Sequence, residues 1–277
     1  MPLDQKNIEL LEEYGHQNHV PVISIHSVGF YAYFKITLPG TFPIVDTHPD
    51  ETATADLRLL QPWDELVQFS QSMTQDIENL DNHIHGHLPL VVVLLHYIEV
   101  WKQSHDGAPP TSYADKTAFR KTIVHAMRKD NPEGGEENFE EAAAAVMKHV
   151  VVPSIPSSLQ EVFDYQHSAE SPRSSFWIIA DAVKQFYENH KQLPVSGGLP
   201  DMKAQSDVYI KLQNIYKEKA RRDAAEVLAT VKTIPGGEAV DSSEVELFCT
   251  NARFIKLINS ETKAIPTLQE AVGKCRY

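Results

Sequence analysis

Cys249 is the first side chain to consider for chemistry, because a cysteine thiolate can attack an activated carboxyl group. A reactive thiolate needs a pKa lowered by nearby cations or by a helix N-terminus, and no His or Asp arrangement accompanies this cysteine in the sequence. Val245, Leu247 and Phe248 instead predict a partly buried helix around it. The pattern favours a structural cysteine, and an enzyme that uses Cys249 is the alternative.

Three alternating histidines, His83, His85 and His87, follow Asp81 and form the only histidine cluster of the sequence. In an extended segment they could share a metal ion. Zinc takes four protein ligands in structural sites, and no second cluster of Cys or His completes such a set. Because the cluster directly precedes an apolar run, we predict a polar loop there and no metal site.

Two pairs of glycines, at 197–198 and 236–237, could in principle cradle a phosphate group. A phosphate-binding loop lies between a strand and a helix, whereas both pairs lie between predicted helices. We therefore interpret them as turns. The sequence predicts no catalytic, cofactor-binding or metal-binding residue.

Composition and charge exclude several classes of partner. The 277 residues carry 38 acidic and 25 basic side chains, a net charge of −13, which argues against a nucleic-acid-binding protein. The most apolar run, residues 88–101, is shorter than the roughly 20 residues that cross a bilayer, and it contains His96 and Glu99. It predicts a buried helix and no membrane association. Two cysteines and no signal-peptide pattern favour a reducing compartment inside the cell.

The elements that would position these residues are mostly helices. After a helix over residues 3–14, strands are predicted only at 20–25, 30–38 and 42–45. In the second strand Phe34 and Ile36 share the side that should face a core. Such a small sheet cannot cover both its faces, so it is expected to belong to a larger α/β layer. Helices are predicted near 63–77, 89–103, 112–129, 136–150, 158–163, 175–190, 201–234 and 242–258.

The longest predicted helix, residues 201–234, follows a loop rich in Pro and Gly at 193–200. Asp201 could cap its first turn. Its apolar side chains recur at helical spacing, and its basic side chains point elsewhere and are interpreted as a solvated face. The apolar positions are Val208, Leu212, Ile215, Ala220, Ala224, Val227, Leu228 and Val231.

The amino-acid sequence of this helix resembles that of the regulatory subunit of the neddylation-activating enzyme. This is the amyloid-precursor-protein-binding family of non-catalytic subunits of ubiquitin-activating-type enzymes. Further short segments of this sequence match the family and occur in the same order along the chain. Their order together is a more specific sign of the family than any one segment. They lie at residues 48–50, 56–59, 136–142, 155–158 and 175–178.

The resemblance covers only the middle portion of family members and implies a mainly α chain with a small β region. Residues 1–50 would be part of a Rossmann-like (ThiF-type) adenylation fold, with a helix and about three strands. Residues 51–264 would be a large helical domain, which resembles the insertion that carries the catalytic cysteine in active relatives but lacks the catalytic role. Residues 265–277 would be a divergent tail.

The function that the resemblance implies is that of a non-catalytic regulatory subunit, or a fragment of one, in a heterodimer. Its partner would be the catalytic subunit, which adenylates the ubiquitin-like modifier and carries it as a thioester. ATP and Mg²⁺ are expected on that subunit and no cofactor in this chain, which is expected in the cytoplasm, the nucleus or both. In the family the matching segment contacts the catalytic subunit, which implies partner-binding roles for Asp201, Met202, Tyr209, Lys211, Leu212 and Asn214.

Two alternatives remain open. The Cys-Thr dipeptide at Cys249 has some likeness to the thioester cysteine of active ubiquitin-activating enzymes, although the prolines that flank that motif are absent. The second alternative is a truncated helical fragment that is inactive alone, because apolar edges of the sheet would be exposed.

Overall fold

The computed structural model describes residues 4–18, 20–49, 56–131, 134–166 and 173–259. The chain divides into two compact units, residues 1–44 with 256–277 and residues 45–255. The predicted boundaries at residues 50 and 264 follow from the resemblance, not from packing, and stay a prediction. The divergent tail lies outside the described residues.

The first unit contains helix α1 (Gln5–Gln17) and a hairpin of strands β1 (Val22–Val28) and β2 (Tyr31–Thr37). Asp4 caps α1 by accepting a hydrogen bond from the backbone N–H of Lys6 at 2.9 Å. The hairpin turns at Gly29, whose φ of 60° is readily adopted by glycine. A separate two-stranded sheet pairs β3 (Thr41–Val45) with β4 (Ile255–Asn259).

One face of the hairpin is apolar and exposed. The cross-strand pairs Ile23–Ile36 and Ile25–Phe34 lie on it, and each of these four side chains is more than half exposed. On the other face Lys35 forms an ion pair with Glu12 of α1 at 2.8 Å. The prediction that Phe34 and Ile36 face a core is therefore wrong for the described residues, because α1 packs on the opposite side.

The second unit consists of helices, which agrees with the predicted mainly α chain with a small β region. They are α2 (Asp64–Thr74), α3 (Asn82–His85), α4 (Leu90–Gln103), α5 (Tyr113–Ala126), α6 (Glu137–His149), α7 (Ser157–Phe163), α8 (Ser175–His190), α9 (Ser206–Val231) and α10 (Ser242–Thr250). Helix α4 is central, with nine buried residues from Leu90 to Trp101, and it packs against α2 and α6. The predicted buried helix is confirmed. Among the described residues, no helix has the length and apolarity to span a membrane.

The long helix begins later than predicted. Helix α9 starts at Ser206, and Asp201 does not cap it, because the Asp201 carboxylate accepts the backbone N–H of the adjacent Met202. The N–H of Lys203 donates to Glu141 of α6 at 2.8 Å, so this stretch is held by another helix and does not continue α9.

Two further predictions need correction. The helix predicted over 242–258 ends at Thr250, and residues 255–259 form strand β4, where two isoleucines favour extended structure. The histidine cluster is not a loop: Asp81 accepts the N–H of Ile84 and caps the short helix α3.

The exposed apolar face of the hairpin generates a test. The double change Ile25→Thr and Phe34→Thr keeps β-forming side chains and removes apolar surface, so it is expected to lower binding of the dye ANS while the free energy of unfolding changes little. Leu247→Thr, which alters a half-exposed leucine of α10, is the control. Unchanged dye fluorescence in the hairpin variant would contradict the assignment of this face as solvent-exposed.

Candidate functional site

The six predicted partner-binding residues divide into surface and core positions. Asp201, Lys211 and Asn214 are exposed. Tyr209 is half-buried, and its hydroxyl donates to the carbonyl of Pro200 at 3.4 Å. The remaining two, Met202 and Leu212, are buried in the core. The structure thus brings all six together around the start of α9, and three of them present their side chains to solvent.

The segment that leads into α9, residues 191–205, is called the support loop below. A regular element is absent from it, yet Leu193, Pro194, Val195 and Gly197 are buried. Buried backbone groups outside regular structure require hydrogen-bond partners from side chains. The structure supplies such partners from the side chains of Arg58 and Asp223.

Arg58 holds the beginning of the support loop. Its guanidinium donates to the side-chain oxygen of Gln192 at 2.5 Å and to the carbonyl of Leu193. Asp56 lies beside it, with a carboxylate oxygen 3.1 Å from Nε. Burial lowers the pKa of Arg58, and the negative charge of Asp56 opposes this shift. Arginine nevertheless remains charged in proteins, so a buried cation fixes this end of the loop.

Asp223 of α9 holds the middle of the support loop. Its carboxylate accepts the N–H of Val195 at 2.9 Å and forms an ion pair with Lys219 at 2.5 Å, while Asp223 itself is only 3% exposed. Two residues further on, Gly197 has a φ of 78°, and a Cβ atom there would lie 3.0 Å from the Cβ of Ala220. Glycine is therefore required twice over, for its conformation and for close approach to α9.

Residues 57–63 contact both the support loop and α9. The hydroxyl of Tyr216, on α9, donates to the carbonyl of Leu57 at 2.7 Å. The same ring makes an edge contact with Trp63, at 4.9 Å between centroids. Because the neighbouring Arg58 holds the loop, one short segment fixes the loop and the helix to each other.

Sequence reasoning missed Arg58 and Asp223. Nothing local distinguishes Arg58, because its partners in the support loop, Gln192 and Leu193, lie more than 130 positions away along the chain. Asp223 carries a signal, because it follows Tyr216 and Ala220 at helical spacing and so falls in the buried phase of α9. An acidic residue in that phase requires a buried partner.

Cys249 is buried, 2% exposed, on α10. It lines a small cavity together with Arg58, Leu193 and Arg253. Burial raises the pKa of the thiol to about 12, and the charges of Asp223 and Glu246 act in the same direction. A thiol with such a pKa is protonated at neutral pH, which agrees with the predicted structural cysteine.

The histidine cluster also has a structural arrangement. His85 is buried, and its Nδ1 lies 2.7 Å from a carboxylate oxygen of Glu136, whose other oxygen accepts the N–H of Arg128 at 2.7 Å. The ring of His85 stacks on Phe139 at 4.7 Å. Across the described ranges of the chain, His, Cys, Asp and Glu side chains form no group of three or more that could hold a metal ion.

Comparison with known proteins identifies relatives of one kind. The chain is 36% identical over 259 residues to the NEDD8-activating enzyme E1 regulatory subunit of Danio rerio, covering 88% of this chain and 47% of that protein. It is 34% identical over 268 residues to the protein of that name from Xenopus laevis (92% and 49%). Identity is 32% over 247 residues to the regulatory subunit AXR1 of Arabidopsis thaliana (86% and 44%). The chain spans about half the length of these curated relatives. No protein-family model matches it.

The buried carboxylate of Asp223 generates a stability prediction. Asp223→Ala leaves the N–H of Val195 and the ammonium of Lys219 without their acceptor, and is expected to lower the free energy of unfolding by about 3 kcal/mol in denaturant titrations. Glu226→Ala is the control on the same helix, because its ion pair with His190 is about half exposed and should contribute less than about 1 kcal/mol. Equal losses in the two variants would contradict the role assigned to Asp223.

The buried thiol of Cys249 generates a reactivity prediction. In a Cys275→Ser variant, where Cys249 is the single cysteine, iodoacetamide should modify the folded protein far more slowly than the protein in denaturant. Because the pKa is raised to about 12, the thiolate fraction, and with it the slow rate, should still rise as the pH increases from 8 to 10. Mass spectrometry measures the modification, and a fast reaction that levels off below pH 9 would show an activated thiol instead.

Proposed function

The chain is a sequence relative of the NEDD8-activating enzyme E1 regulatory subunits, and we propose that it acts as such a subunit by binding the catalytic subunit of that enzyme. The observation that carries the proposal is the match itself, which covers 86–92% of this chain in relatives from fish, frog and plant. The rigid support loop and the exposed start of α9 provide a surface suited to such binding. The catalytic subunit would adenylate the ubiquitin-like modifier and carry it as a thioester.

The proposed contact includes the six residues implied by the resemblance. Asp201, Lys211 and Asn214 would touch the partner directly, since their side chains are exposed. Met202 and Leu212 would act by shaping the surface from below, because both are buried. Tyr209 would do so through its hydrogen bond to Pro200.

We further propose that the chain has no catalytic role of its own. The buried, protonated Cys249 supports this, as do the glycines at 197 and 236, which have positive φ and lie after helices and not between a strand and a helix. ATP and Mg²⁺ would then be bound by the catalytic subunit, and the modifier would contact this chain through the complex.

The first unit is proposed to be part of a Rossmann-like, ThiF-type adenylation fold. The support for this is the apolar face of its hairpin, because pairs such as Ile25 and Phe34 are typical of a sheet face that another layer covers. The proposed location is the cytoplasm, the nucleus or both. A net charge of −13 supports the proposal of a protein partner and of no nucleic acid or membrane.

Co-purification tests the proposed function. The chain should form a stable complex with the tagged catalytic subunit of the same pathway in size-exclusion chromatography. With ATP, Mg²⁺ and the modifier added, a thioester sensitive to dithiothreitol should form on the catalytic subunit and require this chain.

Cys249→Ala distinguishes the alternatives in the same assay. The variant should support loading as well as the unchanged chain does, because the thiol is not used. A conjugate on this chain that disappears in the variant would establish the cysteine-dependent enzyme instead. Failure to form any complex would favour the inactive fragment.

A further inference from the structure

The exposed side of helix α5 groups basic and apolar side chains on one face of the helix. Each member of the group lies three or four residues from another member, which places their side chains beside one another. We call this group the α5 surface, and it consists of Tyr113, Lys116, Arg120, Lys121 and Val124.

The buried side of α5 fixes this surface in place. Phe119 and Ile123 are fully buried, and the ring of Phe119 makes an edge contact with Trp101 of α4, at 5.9 Å between centroids. At the start of the helix, Ser112 and Asp115 form a capping box, in which each side chain accepts a backbone N–H of the other residue. The α5 surface is therefore rigid before any partner binds.

Two large apolar side chains lie at the ends of the α5 surface. Tyr113 is 80% exposed and Val124 is 44% exposed. They are eleven residues apart in the sequence, so a rise of 1.5 Å per residue separates them by about 16 Å along the helix. Tyrosine is among the residue types that most often anchor an interface. A partner that covers both ends would remove this apolar surface from water.

The three cations between these ends have no countercharge in the part of the chain that the structure describes. Lys116, Arg120 and Lys121 form no ion pair there. The single acidic residue of α5, Asp115, is engaged in the capping box. A chain of net charge −13 thus carries a local group of three positive charges.

The charge of the whole chain indicates which class of anionic partner fits. Duplex DNA carries one negative charge about every 1.7 Å, and a net charge of −13 would repel it, while three cations are few for such a ligand. A short acidic protein segment carries far fewer charges, and repulsion from charges more than about 8 Å away is largely screened at physiological ionic strength. The apolar ends also suit a protein segment. The α5 surface therefore favours an acidic protein partner.

We infer that the α5 surface binds an acidic amphipathic helix of a partner protein, with two apolar side chains at the ends of the surface and carboxylates on the three cations between them. A helix is the fitting shape, because rows of side chains on two helices pack into each other's grooves. Its apolar side chains would be about eleven residues apart. The six residues proposed to contact the catalytic subunit lie on or before α9, so this inference goes beyond the proposed function and does not rest on it.

Fluorescence anisotropy with a labelled peptide tests the inference. The probe is a peptide of about 16 residues in which glutamates separate two leucines that are about eleven positions apart. Its control peptide has glutamine in place of every glutamate. The purified chain should bind the glutamate peptide with a Kd of about 100 μM or lower, and the glutamine peptide at least about tenfold more weakly. Added salt should weaken the binding of the glutamate peptide.

Variants assign the binding to α5. Arg120→Glu with Lys121→Glu should raise the Kd for the glutamate peptide at least about tenfold, because it reverses two of the three charges. Tyr113→Ala should raise it about fivefold, because it truncates an apolar end. The melting temperatures of both variants should remain near that of the unchanged chain, since all three side chains are exposed.

Matched controls exclude non-specific effects. Lys217→Glu with Arg221→Glu makes the same change of charge at exposed positions of α9. Leu247→Ala truncates a half-exposed apolar side chain on α10. Each control should leave the Kd within about twofold of its original value.

Several outcomes would overturn the inference. One is a glutamate peptide that does not bind at up to about 1 mM, that binds no better than the glutamine peptide, or that binds the α5 variants as it binds the controls. Tight binding of duplex DNA or of phosphatidylserine vesicles, lost in Arg120→Glu with Lys121→Glu, would assign the surface to a phosphate-bearing partner instead. Loss of co-purification with the catalytic subunit in that variant would make the surface part of that interface. A chain that binds the peptide but not the catalytic subunit would support the inference while the proposed function fails.

Discussion

Two buried charges of opposite sign hold the support loop, and the exposed surface of the second unit depends on them. The guanidinium of Arg58 donates to the carbonyl of Leu193, and the carboxylate of Asp223 accepts a hydrogen bond from the N–H of Val195. A carboxylate can only accept hydrogen bonds, and a guanidinium can only donate them. The pair therefore fixes both the direction and the register of the chain. Apolar contacts alone would bury the same residues without defining which backbone group faces which element. Each charge also has a counter-ion, Asp56 or Lys219, which offsets the cost of its burial.

This arrangement has consequences for binding. A surface loop usually loses conformational freedom when a partner orders it, and that loss weakens the complex. Here the loop is already ordered by Arg58, by Asp223 and, near its end, by the bond from Lys203 to Glu141. The loop leads directly into α9, whose buried side fixes the exposed Lys211 and Asn214. A partner that binds both therefore meets a preformed surface.

Much of the helical part follows from the sequence, and the errors have identifiable causes. Helices α4 and α8 were predicted almost to the residue, because their apolar spacing and their boundaries agree. The start of α9 was misplaced because Glu141, distant in the chain, holds residue 203 by a hydrogen bond that no local pattern reveals. The six site residues came from the resemblance. The role of Arg58 can be recognised only in the folded structure, because tertiary contacts bring Gln192 and Leu193 to it.

Asp223 links the architecture of the loop to the raised pKa of the Cys249 thiol. Arg58 and Arg253 line the same cavity as the thiol, and two cations beside a cysteine are the setting that usually lowers its pKa. The pKa is raised instead, first by burial and then by the charges of Asp223 and Glu246. The guanidinium of Arg58 is already engaged by Asp56, Gln192 and Leu193. The carboxylate that fixes the support loop thus also disfavours the thiolate. Replacing Asp223 would remove one of the charges that disfavour the thiolate, but burial, the largest cause of the raised pKa, would remain, and the loop would lose the contact that holds it on α9.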